Sequence, residues 1–183
     1  NDNEKWDYIE WQQETPANDY YAYCLPQKSY FIGNVFQIIA TDLDTPNGAG
    51  SAFVFNEDGW FITNAHVMEN AYKAQAIFEI PNERTGESFT YLNINEGTYY
   101  NLDKDIYIGK IENYNTIKAY YKNIPVSLNY EIGGTTYSVG YPNATALMEI
   151  NEGVGVMEYA TLADKLYSGN TYIYSTSYIA PGS

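Results

Sequence analysis

Gly50-Ser51-Ala52-Phe53-Val54-Phe55, then Asn56-Glu57-Asp58-Gly59, then Trp60-Phe61-Ile62-Thr63-Asn64-Ala65-His66-Val67 is the stretch that decides how this chain folds. Its outer blocks are apolar, aromatic or β-branched, residue types that suit a pleated and half-buried surface. The block between them is a strong hairpin turn, because Asn, Asp and Gly tolerate the positive φ that tight turns demand. Two antiparallel strands are therefore predicted, Ser51–Phe55 and Trp60–Thr63, with the chain's single histidine, His66, just past the second.

The same pattern extends in both directions. Val35–Ala40 is an apolar run followed by a turn signal at Thr45-Pro46-Asn47-Gly48. Further strands are predicted at Ala74–Ile80, Phe89–Ile94, Ile106–Ile111, Thr135–Val139, Gly153–Tyr159 and Thr171–Ser177. Short strands at a spacing of roughly 8–15 residues, with turns between them, predict an all-β antiparallel barrel or sandwich. Helical periodicity is limited to a possible turn at Val67–Ala71, and no internal repeat occurs. Asn113–Asn123 is polar and Tyr-rich, suited to joining two halves. Residues 1–28 are acidic and aromatic, with Pro16 and Pro26 as breakers. Trp6 and Ile9 fall three apart, as on one face of a short helix, so this segment reads as an extension that docks on the domain.

The composition narrows the function. A chain of 183 residues, 45% hydrophobic and 17% charged, has ample material for a core. With 9 basic against 23 acidic residues the formal charge is −14, and no basic run exists to grip phosphate, which argues against nucleic acid. The acidic field favours cationic peptides or, more simply, solubility. The 21 Tyr, 7 Phe and 3 Trp fit β-rich structure better than a carbohydrate-binding platform. Cys24 stands alone, so no intrachain disulfide can form, and a buried structural thiol is expected. No segment approaches the ~18 apolar residues that span a membrane. No basic, apolar signal peptide opens the chain, so an exported protein would be present here in mature or trimmed form. Neither a metal-ligand cluster nor a Gly-rich phosphate loop is present, and no metal or cofactor is expected. Asn143-Ala144-Thr145 is a sequon, relevant only in a glycosylating host.

A lone histidine is more often structural than catalytic, but the setting of His66 changes that weighting. Residues 50–55, the turn, and Thr63-Asn64-Ala65-His66-Val67 closely resemble the trypsin-like serine peptidases, particularly their bacterial exported branch. Members of that family carry a Gly-Ser-Gly-Phe-Val strand, a turn, and a Thr-Asn-Ala-His-Val segment bearing the catalytic histidine. Ala52 departs mildly, standing where Gly is usual. The resemblance implies a carboxylate at the start of a later strand, to hold the imidazole tautomer. Asp105, opening Asp105-Ile106-Tyr107-Ile108-Gly109-Lys110-Ile111, fits that role, with Asp103 as competitor farther from the apolar run. Gly140-Tyr141-Pro142 and Gly153-Val154-Gly155 resemble segments of the family's second barrel, in the expected order.

The last stretch, Ile179-Ala180-Pro181-Gly182-Ser183, resembles the approach to the family's nucleophile, Pro-Gly-x-Ser-Gly-Gly. In that register Ser183 is x and the nucleophile is the next residue. The oxyanion hole supports it, since it uses the N–H of the nucleophile and of the residue two before it. Were Ser183 the nucleophile, the second donor would fall on Pro181, which has no N–H; one residue later, it falls on Gly182.

Taken together, the resemblance implies two antiparallel six-stranded β-barrels. Residues 1–30 would form an N-terminal extension and 31–112 the first barrel, with His66 and Asp105. Residues 113–183 would be a linker and a partial second barrel ending at the nucleophile loop. The implied activity is a secreted, periplasmic or cell-surface serine endopeptidase acting on peptides or proteins through a Ser-His-Asp triad. A catalytically inactive trypsin-like domain that binds peptides or a protein partner is the alternative, and a Tyr-rich adhesion or carbohydrate-binding β-domain leaves the ordered motifs unexplained.

Overall fold

The computed structural model describes residues 26–42, 45–95, 97–127, 133–159, 172–177 and 179. Most of the predicted extension, residues 1–25, lies outside that set, as do Cys24, Gly182 and Ser183. Among the described residues the structure is β-rich, with one-turn 3-10 helices and no α-helix.

Among the described residues ten strands occur in chain order: β1 Val35–Asp42, β2 Thr45–Val54, β3 Trp60–Thr63, β4 Lys73–Phe78, β5 Thr90–Asn93, β6 Tyr99–Asn101, β7 Ile106–Lys110, β8 Thr135–Gly140, β9 Glu149–Tyr159 and β10 Tyr172–Ser175. The first seven make one antiparallel sheet in the order β5-β4-β1-β2-β3-β7-β6, and the last three make another in the order β10-β9-β8. The two ends of the larger sheet are consecutive in the chain, and the residues between them pair with β7. Ile94 bridges Ile111, Asn95 N–H donates to Lys110 O (2.9 Å) and Thr98 N–H to Ile108 O (2.9 Å). Residues 90–95 thus run from β4 to β7, and residues 98–101 continue along β7, closing the sheet on itself.

Alternation along the strands fills the interior. Phe36, Ile38 and Ala40 of β1 are fully buried, as are Val54, Phe61, Ala76 and Phe78. The Phe36 and Phe78 rings stack at 4.8 Å between centroids, and Phe61 meets Phe36 edge-on at 5.3 Å. Burying a side chain of this size is worth roughly 1.5–3 kcal/mol. The polar stretch after β7 also contributes to this core. Tyr114 and Ile117 are buried in it, and Tyr114 Oη donates to Gly33 O (2.6 Å). Burial pushes the Tyr114 phenol well above the ordinary range. Asn34, with no exposed surface, ties this stretch down: its amide donates to Val54 O (3.1 Å) and Lys122 O (2.8 Å) and accepts from Lys122 N–H (2.9 Å).

The smaller sheet rests on β1 and β2. Tyr141 and Met148 share a buried cluster with Val35, against which Phe31, Phe53 and Val139 pack. Tyr141 N–H donates to Ser51 Oγ (2.8 Å), and Met148 N–H to the Glu79 carboxylate.

Three local expectations need correction. Thr45-Pro46-Asn47-Gly48 is not a turn but the start of β2; Ala40 pairs Gly48 while Thr41 pairs Pro46, so Asn47 is the extra residue of a bulge. Gly48 serves close packing there, since a Cβ would stand 3.0 Å from Val67 O. The helical turn expected at Val67–Ala71 begins earlier, as a 3-10 turn at Ala65–Val67, and a second turn follows it, closed by Ala71 N–H to Met68 O (3.2 Å). Strand β6 adds to the expected set, its sequence signal hidden by Glu96-Gly97, which interrupts the pattern before it. Three strands of the smaller sheet are described, and among the described residues no further strand joins them.

Candidate active site

His66 owes its place to the hairpin in front of it. Strand β3 buries Phe61 and Thr63, and the next turn buries Ala65 and Val67, which leaves Asn64 and His66 facing out. Val67 packs against the β2 backbone, where a Cβ on Gly50 would stand 2.6 Å from Val67 Cγ2. Thr63 Oγ1 donates to Ser51 O (2.7 Å), fixing the same two strands. The imidazole therefore projects from a rigid end of the sheet while 65% of its side chain remains exposed.

Asp105 closes the turn that leads into β7, with φ of +53°, in the left-handed region that Asp visits more readily than most residues. Because β7 pairs β3 from Thr63↔Tyr107 to Trp60↔Lys110, that turn lies beside the His66 turn. Asp105 Oδ2 is 2.8 Å from His66 Nδ1, and Oδ1 accepts the His66 backbone N–H at 2.9 Å. Asn64 Nδ2 donates to Oδ2 (3.1 Å) and to Asp105 O (3.3 Å). The Asp105 side chain is 14% exposed. Burial pushes its carboxyl up, but the hydrogen bonds and charge of His66 and the Asn64 amide outweigh burial and hold it below its usual value.

That carboxylate is ionised at neutral pH and can only accept hydrogen bonds. The Nδ1 nitrogen must then carry the proton, which leaves the neutral imidazole with its lone pair on Nε2. An exposed ring with a basic Nε2 and an anchored anion behind it is the arrangement that general-base catalysis needs. Asp103 lies in the same turn, is exposed, and forms no hydrogen bond or ion pair with a described residue.

Beside the pair, a groove of about 470 Å³ runs between the sheets. Ile62, Asn64 and Asp105 line it from the larger sheet, and Tyr137 and Val139 from the smaller. Asn64 is the residue at this site whose contact with Asp105 no sequence motif marks. The signal for it was only its place in the segment before His66, since its partner is 41 positions away. Among the described residues no group of His, Cys, Asp and Glu is arranged to hold a metal ion.

No protein-family model matches the sequence, and no curated protein matches it. Solved structures do. The crystal structure of Deg5 is similar over 92% of this chain and 79% of that one, with a TM-score of 0.62 and 18% identity. A serine endoprotease from Yersinia pestis is similar over 80% of this chain, with a TM-score of 0.53 and 16% identity. The chain spans about half (54%) of that endoprotease. At such identities the likeness is one of fold, and the fold of this chain is the trypsin-like serine peptidase fold.

Proposed function

We propose that this chain carries the general base and the orienting acid of a serine endopeptidase that cleaves peptides or proteins. The observation behind the reading is the 2.8 Å contact between His66 Nδ1 and a largely buried Asp105 carboxylate, on a ring whose other side is open.

In this mechanism Nε2 of His66 takes the proton of a serine hydroxyl as its oxygen bonds to the scissile carbonyl carbon. The carbonyl oxygen becomes an oxyanion, held in part by the Gly182 N–H. As the C–N bond breaks, the imidazolium returns its proton to the departing amine. Water, activated by the same nitrogen, then releases the acyl group and restores the serine. Asp105 stays ionised throughout and stabilises the imidazolium. In the Pro181-Gly182-Ser183 register the nucleophile is the serine that follows Ser183, with Ser183 as its neighbour. The organisation that goes with this reading is a first barrel over 31–112 and a second built from residue 113 onward. Its setting is outside the cytoplasm, secreted, periplasmic or at the cell surface. Among the described residues no helix is long and apolar enough to cross a membrane.

A fluorophosphonate probe tests the proposal on protein that extends past Ser183. Labelling should map by mass spectrometry to the serine after Ser183 and vanish in His66→Ala. Labelling at Ser183 would overturn the register, and a folded full-length protein that neither labels nor cleaves a peptide library would overturn the peptidase reading.

A further inference from the structure

The triad reading gives work to two of the three donors around the Asp105 carboxylate, both from His66. The third is the side-chain amide of Asn64, which aims at Asp105 twice, at Oδ2 (3.1 Å) and at the main-chain carbonyl (3.3 Å). A primary amide has two N–H groups in one plane, so a single side chain can hold both acceptors at a fixed separation. Asn64 is steered there by its neighbours: Thr63 and Ala65 are buried on either side, so its own side chain must point outward, over the turn that ends at Asp105. Its own aim is thus set by packing rather than by chance.

Asp105 needs such a grip. Its backbone is left-handed (φ +53°), a conformation uncommon outside Gly, and it joins a turn to β7 where small rotations would swing the carboxylate. Oδ1 is fixed by the His66 backbone N–H, but Oδ2 would otherwise have only the imidazole, itself largely exposed and open to competing water. Building on the peptidase reading above, we propose that Asn64 is a positioning residue whose amide clamps Asp105, side chain and backbone together, so that Oδ2 stays aimed at His66 Nδ1. Asn64 touches no reacting atom; it acts through Asp105. A side chain that merely filled space at position 64 would tolerate any isostere. A clamp that works by donation would not.

Asn64→Asp separates these. It keeps the shape, removes both donors and sets a second carboxylate against the first. In full-length protein, Asn64→Ala should lower kcat about tenfold with KM little changed, the scale of one partly exposed hydrogen bond to a charge. Asn64→Asp should lower it further, and Asn64→Ser, which restores one donor, should recover part of the loss. Two readouts need no turnover. The Asp105 carboxyl, followed by carbon NMR, should titrate at higher pH in Asn64→Ala and higher still in Asn64→Asp. The Nδ1–H proton signal, unambiguous because the chain has one histidine, should broaden or disappear. Wild-type carboxyl titration and an intact Nδ1–H signal in Asn64→Asp would overturn the clamp. Should wild-type protein cleave no peptide, the peptidase reading falls, and these two measurements still decide the clamp; Asn64→Ser, the mildest change, serves if the others fail to fold.

Discussion

Replacing Asp105 by Asn tests the site most directly, because its consequences can be worked out bond by bond. The carboxylate accepts three hydrogen bonds, one at Oδ1 from the His66 backbone and two at Oδ2 from the imidazole and Asn64. An amide offers one accepting oxygen and one donating nitrogen. If its oxygen faces the His66 backbone, its NH2 points at Nδ1 and at the Asn64 amide. The imidazole must then move its proton to Nε2, and two donors confront each other. If the amide flips, the imidazole keeps its tautomer, but the His66 backbone N–H meets a donor instead. Neither orientation supplies a negative charge to stabilise the imidazolium. The expected loss in kcat is roughly 10⁴-fold, a barrier increase of about 5.5 kcal/mol, while the fold survives. Asp103→Asn should change the rate by well under about tenfold, since an exposed turn carboxylate contributes little to a site it does not touch. A fluorogenic peptide assay on full-length protein, with melting temperatures as a control for folding, measures both. Equal effects from the two variants, or an Asp105→Asn loss below about tenfold with the fold intact, would refute the assignment of the orienting acid.

The remaining predictions concern the scaffold that holds the pair. Asp105 has a lowered carboxyl pKa in the folded chain, so it adds stability above its unfolded value of about 3.9, and that stability is lost as pH falls through the lower folded value. The gap in unfolding free energy between wild type and Asp105→Asn, from denaturant titrations, should therefore narrow between pH 6 and pH 2, and a constant gap would contradict it. Gly50→Ala should strain the His66 turn, because its Cβ would stand 2.6 Å from Val67 Cγ2, costing about 1–3 kcal/mol. Val67→Ala in the same chain should restore part of that loss, a coupling that a double-mutant cycle reads directly. Asn34→Ala strips partners from Val54 O, Lys122 O and Lys122 N–H in a fully buried position and should destabilise by about 2–4 kcal/mol in denaturant titration.

Which parts of this protein can be read from its sequence follows from the range over which each signal acts. The hairpin from Ser51 to Thr63 is legible because its turn is built from adjacent residues. Asn56 Oδ1 accepts from Asp58 N–H and Trp60 N–H, both at 3.1 Å, and Gly59 takes a φ of +84° beside Tyr114. The same local vocabulary misleads at Thr45-Pro46-Asn47-Gly48. There Gly48 answers to Val67, and Asn47 to a bulge against β1, so what looks like a turn is strand. Strand β6 is hidden for a related reason: Gly97 breaks the apolar pattern because the Tyr107 ring needs its space, a Cβ there standing 2.4 Å from Tyr107 Cζ. The site divides the same way. The neighbourhood of His66 and the strand behind Asp105 are each recognisable alone, so the two residues can be named from the chain. What the chain does not announce is the left-handed backbone at Asp105, or that Asn64 reaches over to hold it. The contact exists only once β3 and β7 are paired, since that pairing carries the Asp105 turn to the side of the His66 turn. The residues that would do chemistry are thus specified locally, while their orientation is specified by the sheet. Substitutions far from His66 that shift the register of β7 on β3 should therefore disable the pair as surely as replacing one of its members.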